Sequence, residues 1–411
     1  MERSESAPLR VQMIVRLFYP WVGGAERQAH KLARTLKEKQ NVRVEIVTGR
    51  WFRGTPQREV LDGIPVFRNH TLWEMFGARG LRRFGGYLYM LSLLWYLWRR
   101  RADYDILHVH GLNYHAAVAV LAARWFRRKT IVKLANSGQA SDIRKMRKGQ
   151  QLPLSRFLLP LALQSDRFVA TSRAIMQELI EVGVPSKRIT LLPNGVETDS
   201  VSVKTNYELH DPVRLVFVGR FHEQKGLDVL LTAFQELSRQ HPGLNLRLQL
   251  LGDGPLRDDL VRQSQELGIA QQVEFAGLTD KVFEYLQQAD IFILPSRAEG
   301  LSNALLEAMT CGLPVVVSNI PANLHVTESA KNGLVFSADD PHLLASAVTQ
   351  LLEQPELRER LGKAARQTIE NRYSLDSIAE GYASLYRDVL SEDSQVGRSR
   401  LKWNQTREER E

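Results

Sequence analysis

One cysteine, Cys311, stands in 411 residues, so no internal disulfide framework exists, and a reducing compartment is the expected setting. Long apolar runs are missing too. No window reaches the ~18 uncharged apolar residues of a membrane-spanning helix. The first residues, MERSESAPLRVQ, hold no apolar signal core, so no secretory leader is expected. The dinucleotide fingerprint G-x-G-x-x-G does not follow the first apolar run, which argues against a nicotinamide site there. Metal-ligand spacing is equally thin. His108 and His110 lie two apart on one strand face, with no third ligand at a telling distance. Asp103-Tyr104-Asp105 is a D-x-D, but it precedes its strand and so lies on the edge away from ligands. No metal site is expected.

Acidic residues are scarce in the first half. Residues 1–200 hold 33 Lys and Arg against 16 Asp and Glu, a balance of +17, whereas residues 201–411 hold 22 against 30, or −8. Such asymmetry suits a lobe that faces a polyanion, either an anionic membrane surface or a nucleic acid, and a solvated basic surface fits the same balance. No recognition-helix or base-stacking motif accompanies the charge, so nucleic acid is not an expected partner. A hydrophobic content of 44% and a length of 411 residues suit two ordinary α/β domains.

The chain alternates apolar runs with amphipathic stretches. Residues 10–17 read as a strand, 18–24 as a loop and 25–37 as a helix, a Rossmann-like opening. Gly23 and Gly24 either let backbone amides approach a ligand or simply make a tight turn. Further strands are expected at 42–48, 64–68, 105–110, 130–134, 167–171 and 188–192, with helices at 114–126, 154–163 and 172–182. Residues 136–151 read as a polar loop carrying Arg144, Lys145, Arg147 and Lys148. Between Arg82-Arg83 and Arg99-Arg100-Arg101, residues 84–98 carry no charge. As a helix they span ~22 Å, short of a ~30 Å hydrocarbon core. Trp95, Tyr96 and Trp98 beside arginines give the pattern of an interfacial anchor. A helix packed on the sheet has the same composition, and one helix can do both with two faces. Pro193-Asn194-Gly195 ends this half, and 196–212 reads as a linker. A second series of strands is expected at 213–218, 246–251, 273–275, 291–294 and 315–317, with helices between and from 340 to 390.

The chemistry gathers in that second series. Strand 291–294 is followed by Pro295 and Ser296, a loop with Glu299, and a helix opened by the N-cap types Ser302 and Asn303. Glu299 therefore stands at the helix mouth and Glu307 on its side. Free amides can hold an anion there while the carboxylates accept bonds from hydroxyls, a combination suited to a sugar nucleotide. A loop acid and a helix-surface acid with no such role fit the same spacing. Arg220 and Lys225 follow strand 213–218, on the edge facing a cleft, where two fixed cations can offset a departing diphosphate without a metal. Gly252, in Gly252-Asp253-Gly254-Pro255, marks another turn on that edge.

VGRFHEQKGLDVLL, LLGDGPLRDDL, VEFAGLTD and PSRAEGLSNALLEAMTCGLPVVVS, in that order, resemble the second domain of retaining glycosyltransferases of family 4; PWVGGAERQAHKLARTL and LLPNGVE resemble that family's first-domain loop and interdomain joint. The resemblance covers roughly residues 10–390. It implies the GT-B fold, an α/β class with two doubly wound Rossmann-like domains facing a central cleft. Residues 1–195 would then bind the acceptor and 196–375 the nucleotide sugar, with 376–390 a helix packing back on the first domain and 391–411 a loose polar tail. It implies that Glu307 holds ribose hydroxyls and that Glu299 lies near the donor sugar, with Gly300 and Leu301 offering backbone contacts. Arg220 and Lys225 would clamp the diphosphate, and Gly23 and Gly24 would lie beside the donor. Where many relatives place a histidine after the fifth strand, this chain reads Ala135-Asn136-Ser137. His110 is the substitute candidate at the reacting centre, and Asn136, Ser137 and Asp142 are candidates for the acceptor site.

The resulting expectation is a metal-independent, cofactor-free retaining transferase that is cytoplasmic and peripheral at the inner face of a membrane. Its donor would be a nucleoside-diphosphate sugar. Its acceptor would be lipid-linked or a polysaccharide of the envelope or cell surface, and an anionic membrane surface would be its partner. The alternatives are a sugar-nucleotide epimerase of the same fold, or a nucleic-acid-binding protein that uses the basic half.

Overall fold

The computed structural model describes residues 8–20, 23–71, 82–136, 138, 141–150, 152, 155–199 and 201–408, with side chains from 85 in the helix starting at Arg82 and to 392 in the last helix. The first half alternates β1 (Leu9–Val15), α1 (Gly24–Lys39), β2 (Val42–Gly49), β3 (Arg58–Leu61), β4 (Ile64–Asn69), α2 (Arg82–Arg99), β5 (Ile106–His110), α3 (Tyr114–Phe126), β6 (Lys129–Leu134), α4 (Asp142–Arg147), α5 (Ser155–Ala162), β7 (Arg167–Ala170), α6 (Arg173–Glu181) and β8 (Ile189–Leu191). The second continues with β9 (Val213–Val218), α7 (Leu227–Gln240), β10 (Leu246–Leu251), α8 (Arg257–Glu266), β11 (Val273–Gly277), α9 (Val282–Gln288), β12 (Ile291–Leu294), α10 (Asn303–Thr310), β13 (Val315–Ser318), α11 (Pro321–Leu324), β14 (Leu334–Phe336), α12 (Pro341–Glu353), α13 (Pro355–Arg372) and α14 (Leu375–Glu408).

Two sheets result, in the orders β3-β4-β2-β1-β5-β6-β7-β8 and β11-β10-β9-β12-β13-β14. Every pairing is parallel except that of β3 with β4. Parallel strands covered on both faces must be apolar throughout, which is why β12 and β13 are buried at every residue. The strand order reverses between β1 and β5 in one sheet and between β9 and β12 in the other. At such reversals the connections diverge and leave a crevice at the carboxyl ends of the strands. Cores lie on both sides of the first sheet. Ile14, Leu107, Val109 and Val132 pack under α2, α3 and α5, whereas Met13, Val15, Ile106 and Ile131 pack under α1 and α14.

The chain crosses between the sheets twice, side by side. Val196 N donates to Tyr373 O at 2.9 Å, and Leu375 N donates to Val196 O at 2.9 Å. From there α14 lies along α1, burying Ile378, Tyr382, Tyr386 and Val389 in the first core.

Four features depart from the sequence expectations. β3 joins β4 as a hairpin through Asp62-Gly63, an aspartate–glycine turn whose meaning was available in the sequence. The polar loop 136–151 contains α4, capped by Ser141, whose hydroxyl accepts from Arg144 N at 3.3 Å. β14 adds an edge strand too short for its periodicity to register. Finally, the expected loose tail is helical as far as Glu408. No proline interrupts residues 391–408, and Glu, Gln, Lys and Arg, all good helix formers, recur through them.

Candidate functional site

At the reversal in the second sheet, the loop after β9 carries Arg220 and Lys225, and the loop after β12 carries Ser296 and Glu299. The Lys225 ammonium forms an ion pair with Glu299, whose Oε1 also accepts from Ser296 Oγ at 2.9 Å. Both side chains are mostly shielded, at 19% and 11% exposure. Arg220, preceded by Gly219 packed on the Lys225 side chain, is exposed and has no hydrogen-bond or ion-pair partner among the described residues. One cation is thus pre-set by an acid and another is left open beside it.

Glu307 lies on the face of α10 that its buried residues, Leu305, Leu306, Ala308 and Met309, leave over. Burial raises its carboxyl above the usual carboxylate range; Lys31 and Arg27 of α1 pull it down, and Glu197 pushes it up. Its oxygens have no hydrogen-bond partner among the described residues. Such a carboxylate is equipped to accept hydroxyl donors. Lys31 itself pairs with Glu197 at 3.3 Å, and Arg34 pairs with Glu197 as well.

The first domain closes this site from above. Ser302 caps α10, accepting from Leu305 N at 3.4 Å. Asn303, the first residue of that helix, donates to Gly24 O at 3.0 Å and accepts from Asn194 Nδ2 at 2.9 Å. The Gly23–Gly24 loop is therefore tied to the α10 mouth, and Gly23 N donates to Glu26 at 3.0 Å. Gly300 packs on the backbone of Ala135, next to Asn136. Leu301 buries its side chain in the core around the second sheet, with Leu305 and Leu306 of α10.

Three candidates occupy places different from those expected. Gly252 does not hold a free amide toward the cleft: its N–H donates to Gly277 O at 2.8 Å, and the carbonyl of Gly219 fills the space a Cβ would need. Asp142 is buried and accepts from Asn136 Nδ2 at 3.2 Å, so it orients Asn136 rather than opening to solvent. His110 is buried, its ring 4.4 Å from that of His108, with Lys133 nearby. Burial lowers its pKa well below the ordinary histidine value. Ser137 lies outside the described residues. Of the D-x-D, Asp105 accepts from Arg10 N and Nε at 3.0 and 3.2 Å, and Asp103 pairs with Arg100. Among the described residues no group of three His, Cys, Asp or Glu is placed to hold a metal.

Residues 22–200 match the model of glycosyltransferase family 4, and residues 203–368 match that of glycosyl transferases group 1. The two matches adjoin at the interdomain linker. The chain belongs to the family 4 glycosyltransferases. This transferase is 28% identical over 301 residues to N-acetyl-alpha-D-glucosaminyl L-malate synthase of Bacillus anthracis, covering 72% of this chain and 77% of that one. It is 29% identical over 267 residues to the lipopolysaccharide core biosynthesis glycosyltransferase LpsE of Rhizobium meliloti, covering 63% and 76%. Its GT-B fold is shared with sucrose-phosphate synthase from Thermosynechococcus elongatus, with a TM-score of 0.76, 19% identity and coverage of 93% and 99%. Anabaena HepE in complex with UDP matches with a TM-score of 0.71 and 17% identity, covering 92% and 100%.

Several members of this site were not singled out from sequence. Asn194 and Asn303 join the two domains, and Arg27 and Lys31, four residues apart on α1, face Glu307. Their spacing on one helix face was legible, but what that face meets was not.

Proposed function

We propose that the protein is a retaining, metal-independent, cofactor-free glycosyltransferase using a nucleoside-diphosphate sugar. Its acceptor is a lipid-linked or polysaccharide glycan of the cell envelope or surface, presented at the cytoplasmic face of an anionic membrane. The observation that carries the donor reading is the Lys225–Glu299 pair at the strand-order reversal, with Arg220 open beside it. The bond from the sugar anomeric carbon to the diphosphate oxygen breaks, and negative charge accumulates on that oxygen. Lys225 and Arg220 stabilise the charge, a type of contribution worth roughly 3–4 kcal/mol for one well-placed donor. The acceptor hydroxyl attacks from the same face, its oxygen forms the new bond, and its proton passes to the departing phosphate. No side chain is required as a covalent nucleophile. Glu307 accepts the ribose hydroxyls. HepE is described with UDP-glucose, and LpsE by its part in lipopolysaccharide core synthesis, and both support the reading.

The test is a thermal-shift and slow-hydrolysis screen over uridine-, guanosine- and adenosine-diphosphate sugars. One donor should raise the melting temperature and be hydrolysed, with no change on adding EDTA. If no donor protects the protein, the reading fails. If turnover converts the sugar nucleotide itself and ignores added acceptor, the protein is an epimerase.

A further inference from the structure

Helices α2, α3 and α5 cover one side of the first sheet, and none contains an Asp or Glu. Their outer face is apolar. Leu91, Trp95 and Trp98 on α2 are 67%, 54% and 49% exposed, Trp125 on α3 is 63% exposed and Phe157 on α5 is 64% exposed. Leu91, Trp95 and Trp98 recur at i, i+4 and i+7, so they form one stripe. The opposite stripe of the same helix, Tyr89, Leu93, Tyr96 and Leu97, is buried. Arginines lie over the exposed rings: Arg99 at 5.5 Å from Trp95, Arg101 at 5.5 Å from Trp98 and Arg156 at 4.7 Å from Phe157. No helix among the described residues is long and apolar enough to cross a membrane.

A second observation lies where α2 and α3 end. Arg128 donates to Arg101 O at 3.1 and 2.8 Å, drawing the two helix ends together. Beside them is an open depression of about 550 Å³ lined by Arg124, Arg127, Arg128, Lys129, Gln164 and Asp166. Its one acid is already engaged: Asp166 accepts from Thr130 N at 2.8 Å and from Thr130 Oγ1 at 3.0 Å, and it lies 3.7 Å from Lys129. The three arginines have no carboxylate partner among the described residues. Helix carboxyl ends attract a cation or two, but Arg127 also occupies the C-cap at φ 53°, a left-handed position where glycine is the ordinary residue. An arginine held in left-handed backbone, beside two others and with the depression's one acid already engaged by Thr130 and Lys129, suits an anion.

We propose that this three-helix face docks on an anionic lipid bilayer and that the arginine depression takes a phosphate headgroup of that bilayer. Charge complementarity selects an anionic partner, and the exposed tryptophans, leucine and phenylalanine select an interface over a nucleic-acid duplex. The face also reaches the cleft edge. α5 begins beside α4, where Ser155 Oγ donates to Met146 O at 3.3 Å, and α4 orients Asn136 through Asp142. Docking therefore brings Arg144 and Arg147 of α4 toward the lipid from which a membrane-linked acceptor would emerge. The purpose of the docking rests on the acceptor reading given above, whereas its geometry does not.

The experiment is flotation of the full chain with phosphatidylcholine vesicles, with and without phosphatidylglycerol. Binding should require phosphatidylglycerol and weaken as salt rises. Arg127→Gly relieves the strained C-cap, so its melting temperature should not fall, yet it should lose about fivefold in vesicle affinity. Arg124→Ala combined with Arg127→Gly and Arg128→Ala should lose about 100-fold. Trp95→Ser with Trp98→Ser should weaken binding through a separate contact. Undiminished vesicle binding by the triple arginine variant overturns the headgroup site. Binding to duplex DNA but not to vesicles overturns the docking face, and protection by inorganic phosphate equal to that by vesicles overturns the bilayer assignment. The donor-sugar thermal shift is measured on the same samples. A wild-type protein that binds vesicles but is protected by no donor sinks the transferase reading alone; one protected by a donor that ignores vesicles sinks this proposal alone.

Discussion

Gly300 lies against Ala135 so closely that a Cβ on Gly300 would stand 1.6 Å from the Ala135 carbonyl oxygen. One residue follows Glu299 in the second half of the chain and the other precedes Asn136 in the first. A bare backbone at position 300 is therefore a condition for the two halves to meet.

Gly300→Ala should hold the halves apart without disturbing either core. Misplacing reactants by about 1 Å can cost on the order of 10²-fold in rate. The expected outcome is a kcat lower by that factor, with donor affinity from calorimetry and melting temperature nearly unchanged. A normal kcat would show that catalysis does not need this contact.

Lys225→Ala removes the shielded cation and leaves Glu299 with less compensation. If negative charge develops beside Lys225 during transfer, kcat should fall about 10²–10³-fold, or roughly 3–4 kcal/mol. Arg220→Ala should have a smaller effect, because exposure to water screens its charge. Single-turnover rates on the donor identified by the screen provide the measurement, and an unchanged rate in Lys225→Ala would remove the clamp from the mechanism.

Glu307 gives a pH-dependent prediction. Its carboxyl is raised by burial, and its ionised form is the better acceptor for ribose hydroxyls. Donor affinity should hold at neutral pH and fall as the pH drops through a value above the ordinary carboxylate range. Glu307→Gln should bind the donor about 10-fold more weakly, one lost charge-assisted hydrogen bond, and should lose that pH dependence. Titration calorimetry across pH distinguishes the two proteins; identical profiles would count against Glu307 as the ribose ligand.

His108 and His115 are buried, and burial lowers each to about 3. In the unfolded chain they take up protons near pH 6.5. Between these values the unfolded state binds more protons, so stability is full at neutral pH and declines as pH falls below about 6.5. The slope reaches roughly 1.4 kcal/mol per pH unit for each histidine. His108 also bonds the Tyr386 hydroxyl of α14 at 2.8 Å. His108→Gln should be less stable at pH 7 but should lose less on going from pH 6.5 to pH 4. Denaturant midpoints at the two pH values test this, and equal acid sensitivity would refute it.

Asp103 and Asp105 show where a motif read from sequence changes meaning in the fold. They have the spacing of metal ligands, yet each is occupied by an arginine at the amino edge of β5. Gly252 shows the same limit: sequence marks a close approach, but only the fold reveals that the approaching group is Gly219. The Lys225–Glu299 pair could be anticipated because both follow strands whose carboxyl ends share one edge.

What the sequence decided by itself was local and periodic. Buried parallel strands must be apolar runs, helices beside them must be amphipathic, and residues just after a strand must lie on its carboxyl edge. Those rules set out two α/β halves and put Arg220, Lys225, Glu299 and Glu307 near a ligand crevice. Which side chains face one another across that crevice was left to the tertiary structure. Arg27 and Lys31 oppose Glu307, Asn303 reaches Gly24 and Asn194, and Gly300 meets Ala135, through separations of more than a hundred residues. Such contacts depend on how two rigid sheets come together, and no local periodicity encodes that placement.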